Sequence, residues 1–258
     1  LVGQVDDGAH RHHGLHVDPL GFCWESSLCR TPFTACSDGQ RIRANSLRAA
    51  WTKAAPASLP PGVQPLFVLW PVQLLADQVN RHGLHMSSWR PLIEHARKLI
   101  PAEVQLVIKP HPRAKTGAST LGKGLPNTIL LPPQSSLPQV LRNCAGVVGV
   151  NSTVLTEARL LWGKPVWAYA DSWYTGHADL ICRIDDNLQA LPKVELLENA
   201  ESIRKGHLQD YADWFLSQLL ARQFDQVRAT HDQGSFRRWL HRRTYLSYQQ
   251  YGQAIFEE

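Results

Sequence analysis

Between residues 66 and 169 the spacing of apolar positions switches repeatedly between continuous runs and a helical period. "LFVLW" (66–70) is a short apolar run and reads as a buried strand. After a polar loop, "SWRPLIEHARKLI" (88–100) places Trp89, Leu92, Ile93, Ala96, Leu99 and Ile100 at helical spacing. Ser88 can cap this helix, and Pro91 falls within its first turn, where a missing N–H does no harm. The spacing then predicts strands at "VQLVIK" (104–109), "TILL" (128–131), "GVVGV" (146–150) and "PVWAY" (165–169). Between them lie a glycine-rich loop, a short helix around 136–143, and a helix over "STVLTEARLLWG" (152–163) stopped by Gly163. Buried strands alternating with helices imply a parallel sheet covered on both faces.

The flanks carry weaker patterns. "GLHVDPLGFCWESSL" (14–28) reads as two strand-like pieces around a Pro-Leu-Gly turn, and "APASLPPGVQP" (55–65) as a linker. After residue 195 the pattern is helical, with Tyr211, Trp214, Phe215, Gln218 and Leu219 at core-facing spacing. The expected division is an N-terminal part over 1–64, a Rossmann-like part over 65–190 and C-terminal helices over 191–258.

Composition narrows the classes. A chain of 258 residues, 43% of them hydrophobic, buries a substantial core, which excludes a disordered protein. Lys and Arg number 27 against 22 Asp and Glu, which favours an anionic partner. The basic residues are scattered rather than gathered in a nucleic-acid tail. The one dense cluster, "RRWLHRR" (237–243), is either a solvated helix face or a contact for an anionic membrane through Arg237, Arg238, Arg242 and Arg243. Five cysteines without CxxC spacing argue against a disulfide framework and a zinc site, and fit a reducing cytoplasm.

Ligands of a doubly wound sheet sit at the strand C-termini, and three unusual polar groups fall there. Lys109-Pro110-His111-Pro112 leaves a strand with its prolines stiffening the exit, so two basic groups are held in a fixed loop. Asn151, Ser152 and Thr153 leave another strand and open a helix, presenting backbone N–H groups and hydroxyls to an anion. The same residues also serve as an ordinary N-cap. Glu157, about one turn on, could accept bonds from sugar hydroxyls or simply be solvated. Asp77, in the loop after "LFVLW", is alone only a turn former. Asp6-Asp7-Gly8 repeats the arrangement of strand, acid and glycine. Two acidic loops facing a cationic phosphate cradle suit glycosyl transfer.

"VDDG" (5–8), "HVDPLGFCWESSL" (16–28), "PVQLLAD" (71–77), "IKPHP" (108–112) and "NSTVLTEARLLWGKPVWAYADSWYTG" (151–176) occur in the order of the capsule polysaccharide biosynthesis family. The chain resembles the group in that family that contains the retaining β-Kdo transferases of capsule export. That resemblance implies a GT-B-like fold of two Rossmann-like lobes with a helical C-terminal tail, in which further strands of the first, acceptor-side lobe precede "LVGQV". It implies a CMP-activated sugar donor, usually CMP-Kdo, a glycan or glycolipid acceptor, no metal and no further cofactor. Lys109, His111, Pro112, Asn151, Ser152, Thr153 and Glu157 would then bind the nucleotide, with His111 and the Ser152/Thr153 helix start on the CMP phosphate and Glu157 on the ribose. Asp77 would be the nucleophile, and Asp6 or Asp7 the acid/base. The expected location is the cytoplasm, with the 237–243 cluster a candidate peripheral contact with the inner membrane face. Two other readings remain open: an inverting transferase of the CMP-sialic-acid type, and a nucleotide-sugar-binding module without catalysis.

Overall fold

A computed structural model describes residues 2–5, 12–16, 24, 26–53, 55–75, 86–114, 120–185, 188–191, 207–221 and 223–225. The centre is a six-stranded sheet: β3 (Phe67–Pro71), β4 (Gln105–Lys109), β5 (Thr128–Leu130), β6 (Gly146–Gly149), β7 (Val166–Ala168) and β8 (Cys182–Arg183). All its pairings are parallel and the spatial order is β5-β4-β3-β6-β7-β8. Counted within the sheet this is 3-2-1-4-5-6, the doubly wound order, whose direction of winding reverses between β3 and β6.

The apolar runs are continuous because both faces are covered. On β3, Val68 and Trp70 face one cluster with Leu106, Ile108, Val148 and Trp167, packed by Ile93, Ala96 and Leu99 of helix α2 (Arg90–Leu99). Phe67 and Leu69 face the other, with Val107, Val147 and Val166. That face is packed by Val140 and Leu141 of α3 (Leu137–Asn143) and by Leu155 and Ala158 of α4 (Thr153–Trp162). The expected helix signals are realised. Ser88 Oγ accepts from the Arg90 N–H at 3.1 Å, Ser136 and Ser152 cap α3 and α4, and Gly163 ends α4 in the left-handed region at φ 63°.

Helix α1 (Asp38–Lys53) is one the apolar spacing does not announce, and it docks on α5 (His207–Ala221) largely through polar groups. Arg48 forms a buried ion pair with Asp213, Arg41 meets Asp210 at 3.2 Å, and Gln40 Nε2 donates to Ser217 Oγ at 2.9 Å. Tyr211, Trp214 and Phe215 of α5 are core residues as the spacing predicted, and they share the second face with Leu28, Cys36, Ala44, Ala55 and Val63.

The N-terminal strands stand apart from the six-stranded sheet. β1 (Val2–Val5) and β2 (His12–His16) are strands, but they pair antiparallel with each other and with β9 (Gln223–Asp225) in a separate three-stranded sheet. Among the described residues there is therefore one parallel sheet. The Pro-Leu-Gly turn and most of the second strand-like piece lie outside the described residues; past them Ser27–Arg30 form a 3-10 turn, in which Ser26 Oγ accepts from the Leu28 N–H at 3.2 Å. Residues 55–65 are irregular as expected, yet fastened down: Gln105 Oε1 accepts from the Gln64 N–H at 2.8 Å, and Arg142 donates to the Ala55 carbonyl at 2.7 Å.

Candidate functional site

The winding reversal puts the exits of β4, β3 and β6 side by side. Parallel strands stand about 4.8 Å apart, so the outer two exits are separated by roughly 10 Å. The Val72 N–H donates to the Lys109 carbonyl at 2.9 Å and holds the first two exits together. Gly149 brings β6 close to α4: a Cβ there would stand 3.1 Å from Leu155 Cδ2, so a larger residue would make the Leu155 side chain give way by a few tenths of an ångström.

At the β6 exit Asn151 is almost fully buried and Ser152 nearly so, whereas Thr153 is exposed. Ser152 Oγ accepts from the Val154 N–H at 3.2 Å, so the ordinary capping role is realised. Capping leaves the helix start with a partial positive charge of about half an elementary charge, which favours a nearby anion. At the β4 exit Lys109 is buried, with Nζ 3.3 Å from the carbonyls of both Pro110 and Pro133. Desolvation lowers its pKa to about 8. The ammonium thus fastens the β4 exit to the loop after β5 rather than standing as an open cation.

His111 is half-buried and Pro112 exposed. The Arg113 N–H donates to His111 Nδ1 at 3.0 Å, and the Ala114 N–H donates to the His111 carbonyl at 2.8 Å. A backbone donor on Nδ1 requires the ring proton on Nε2, so the turn that follows the prolines selects the imidazole tautomer. Glu157 is partly exposed, and desolvation alone pushes its carboxyl up to about 7. A carboxyl in that state gains from any hydroxyl that donates to its charged form.

Gln73 joins these exits, a role the sequence analysis did not assign. Its Nε2 donates to Asn151 Oδ1 at 3.1 Å and its Oε1 accepts from the Asn151 N–H at 3.2 Å. Its own carbonyl accepts from Trp89 Nε1 at 2.8 Å. Its signal was only its place within "PVQLLAD", two residues past a strand end. Asp171, at the β7 exit, pairs with Arg183 at 2.9 Å. Asp6, Asp7 and Asp77, and the arginines at 237, 238, 242 and 243, lie outside the described residues. The structure therefore sets Lys109, His111 and Pro112 at the β4 exit and Asn151, Ser152 and Thr153 at the β6 exit of the same sheet, with Glu157 a turn further along α4. Among the described residues no helix is long and apolar enough to cross a membrane.

The strand order defines a doubly wound α/β domain. The sequence profile of capsule polysaccharide biosynthesis proteins matches residues 41–178, just over half of the chain. The chain belongs to the capsule polysaccharide biosynthesis family. Its fold is shared with Thermosulfurimonas dismutans KpsC, described as a beta Kdo 2,7 transferase, with a TM-score of 0.52 and 20% identity over 74% of this chain and 71% of that one. A KpsC structure from the same organism described as a beta Kdo 2,4 transferase aligns with a TM-score of 0.49 at 18% identity, over 79% of this chain and 73% of that one. Comparison with curated protein sequences gives no match.

Proposed function

We propose that this protein is a glycosyltransferase that moves a sugar acid, Kdo in the first instance, from a CMP-activated donor to a polysaccharide or glycolipid acceptor with retention of configuration. The observation that carries the reading is the placing of His111, with its Nε2–H, at the β4 exit and of the capped start of α4 at the β6 exit, on either side of β3, with the desolvated Glu157 a turn further along α4. The names of the KpsC relatives point the same way. In this reading His111, Ser152, Thr153 and the helix start hold the phosphate, and Glu157 accepts bonds from the ribose. Lys109 supports the cradle from behind. Asn151 and Pro112 shape its walls. Departure of CMP needs charge stabilisation, and these groups supply it without a metal or further cofactor.

Asp77 attacks the anomeric carbon, the bond to the phosphate oxygen breaks with its electron pair leaving on CMP, and a glycosyl ester forms. Asp6 or Asp7 then takes the proton of an acceptor hydroxyl, whose oxygen displaces the ester and restores the Asp77 carboxylate. The proposal includes a GT-B arrangement with residues 1–64 on the acceptor side, 65–190 on the nucleotide side and C-terminal helices over 191–258. This division is one of roles, since residues 28–63 share a core with the sheet. It also includes a cytoplasmic location, with the 237–243 cluster touching the anionic inner membrane face.

Asp77→Asn tests it: transfer is abolished while CMP affinity stays. Asp6→Asn incubated with CMP-Kdo gains the mass of one sugar residue on the peptide containing Asp77. Wild-type turnover by Asp77→Asn overturns the nucleophile assignment, and an inverted product overturns double displacement. CMP binding without any transfer by the wild type leaves a binding module instead.

A further inference from the structure

We infer that Gln73 is a positioning residue for this reaction, acting through Asn151 to lock the chain leaving β3 to the start of α4. The inference rests on the transferase reading for its consequence and on geometry for its substance.

The bonding forms a chain of amides with one consistent polarity. Asn151 Nδ2 donates to the Asp171 carbonyl at 3.4 Å, which turns Asn151 Oδ1 toward the β3 exit. That oxygen needs a donor, and Gln73 Nε2 supplies it at 3.1 Å. The other end of the Gln73 amide then presents Oε1 to the Asn151 N–H at 3.2 Å. Only a side chain that donates and accepts at once fits both contacts; a carboxylate would set oxygen against oxygen, and an alkyl chain would remove both bonds. Two side chains thereby tie three strand exits, β3, β6 and β7, across the winding reversal. The clamp is anchored from behind by the bond from Trp89 Nε1 to the Gln73 carbonyl.

Two functions flank this clamp in the chain. Asn151 immediately precedes the Ser152 cap of α4, the proposed phosphate seat. Gln73 stands four residues before Asp77, the proposed nucleophile. The leaving phosphate and the attacking carboxylate act on opposite sides of one carbon, so their spacing governs the chemical step more than it governs binding of the nucleotide. Displacements of about 1 Å in such an arrangement cost on the order of a hundredfold in rate.

The test compares wild type with Gln73→Met, which keeps volume and removes both bonds, and with Gln73→Glu, which keeps shape and reverses one. The expected result is a fall in kcat of about 10- to 100-fold, with the dissociation constant of CMP changed by less than about threefold. Because Gln73 acts through Asn151, Gln73→Met added to Asn151→Ala lowers kcat no further than Asn151→Ala alone. Unchanged kcat, parallel loss of affinity and turnover, or full additivity with Asn151→Ala overturns the inference. If Gln73→Met fails to fold, kcat of Gln73→Glu decides by the same limits. If the wild type neither binds CMP nor transfers sugar, the transferase reading falls. The clamp is then judged by exchange of the Asn151 amide hydrogen in ligand-free protein: faster in Gln73→Met than in wild type sustains it, and an equal rate removes it.

Discussion

Glu157→Gln tests the electrostatics of the site directly. Desolvation raises the Glu157 carboxyl from 4.5 to about 7, and nothing else contributes to the shift. The folded protein therefore keeps a proton over a pH range where the unfolded chain has lost it. Stability falls as pH rises from about 4.5 to about 7 and is level above that. At about 1.36 kcal/mol per pKa unit the penalty above pH 7 is on the order of 3 kcal/mol, an upper value because the residue's exposed edge is screened by water. Glutamine has the same shape and no charge to desolvate. The variant should match wild type near pH 4.5 and exceed it by up to about 3 kcal/mol at pH 8, which for a chain of this size is roughly 5–10 °C in Tm. Thermal melts of both proteins across pH 4.5 to 8 measure the difference. The same carboxyl should release its proton when ribose hydroxyls donate to it, so calorimetry in buffers of different ionisation enthalpy should find fewer protons released by CMP in the variant near pH 6.5. A Tm difference that does not vary with pH refutes the desolvated carboxyl. Equal proton release by both proteins refutes its contact with the nucleotide.

CMP in EDTA should stabilise the fold by about 2.7 kcal/mol at a hundred times its dissociation constant, and UDP and GDP at the same concentration should do less; equal thermal shifts for all three count against the donor assignment. His111→Ala should weaken CMP binding by roughly 10- to 150-fold, the equivalent of one charge-assisted hydrogen bond, with little change in Tm because a half-buried turn residue adds little packing. Normal CMP affinity in that variant would move the phosphate elsewhere. Asp213→Ala, which takes the buried carboxylate away from a half-buried Arg48 that keeps its bonds to the Leu160 carbonyl and Asn45, should cost up to about 3 kcal/mol in urea unfolding. A loss below about 1 kcal/mol would mean that water reaches the pair.

The sheet was legible because each of its main strands is an unbroken apolar run, and β3 and β4 are buried along their whole length. Helix α4 was legible at both ends, since Ser152 and Gly163 do there what their chemistry favours. Helix α1 was not, because it turns Ala44 inward and leaves Ile42 exposed while docking through Arg41, Arg48 and Gln40, so its apolar spacing carries no helical stripe. The antiparallel sheet pairs Leu15 with Phe224, a contact across nearly the whole chain that no local pattern encodes. The place of His111 at a strand exit and the capping role of Ser152 could be read from the sequence. Gln73 could not, because its importance is a pairing with Asn151, 78 positions away.

The position of Lys109 changes how a phosphate would be held. From the sequence, the lysine beside the two prolines is a cation for the phosphate. In the fold its Nζ lies against two carbonyls, and burial has already brought its pKa down to about 8. Contact with the phosphate then falls to groups that are not freely moving charges: an imidazole N–H whose tautomer is set by the Arg113 amide, and the first turn of α4. Fixed dipoles of this kind need no reorganisation as charge builds on a leaving group, whereas a solvated lysine would have to shed water and find its place. In this arrangement Lys109 keeps the β4 exit rigid enough for His111 to be one of those dipoles, and its charge acts at longer range.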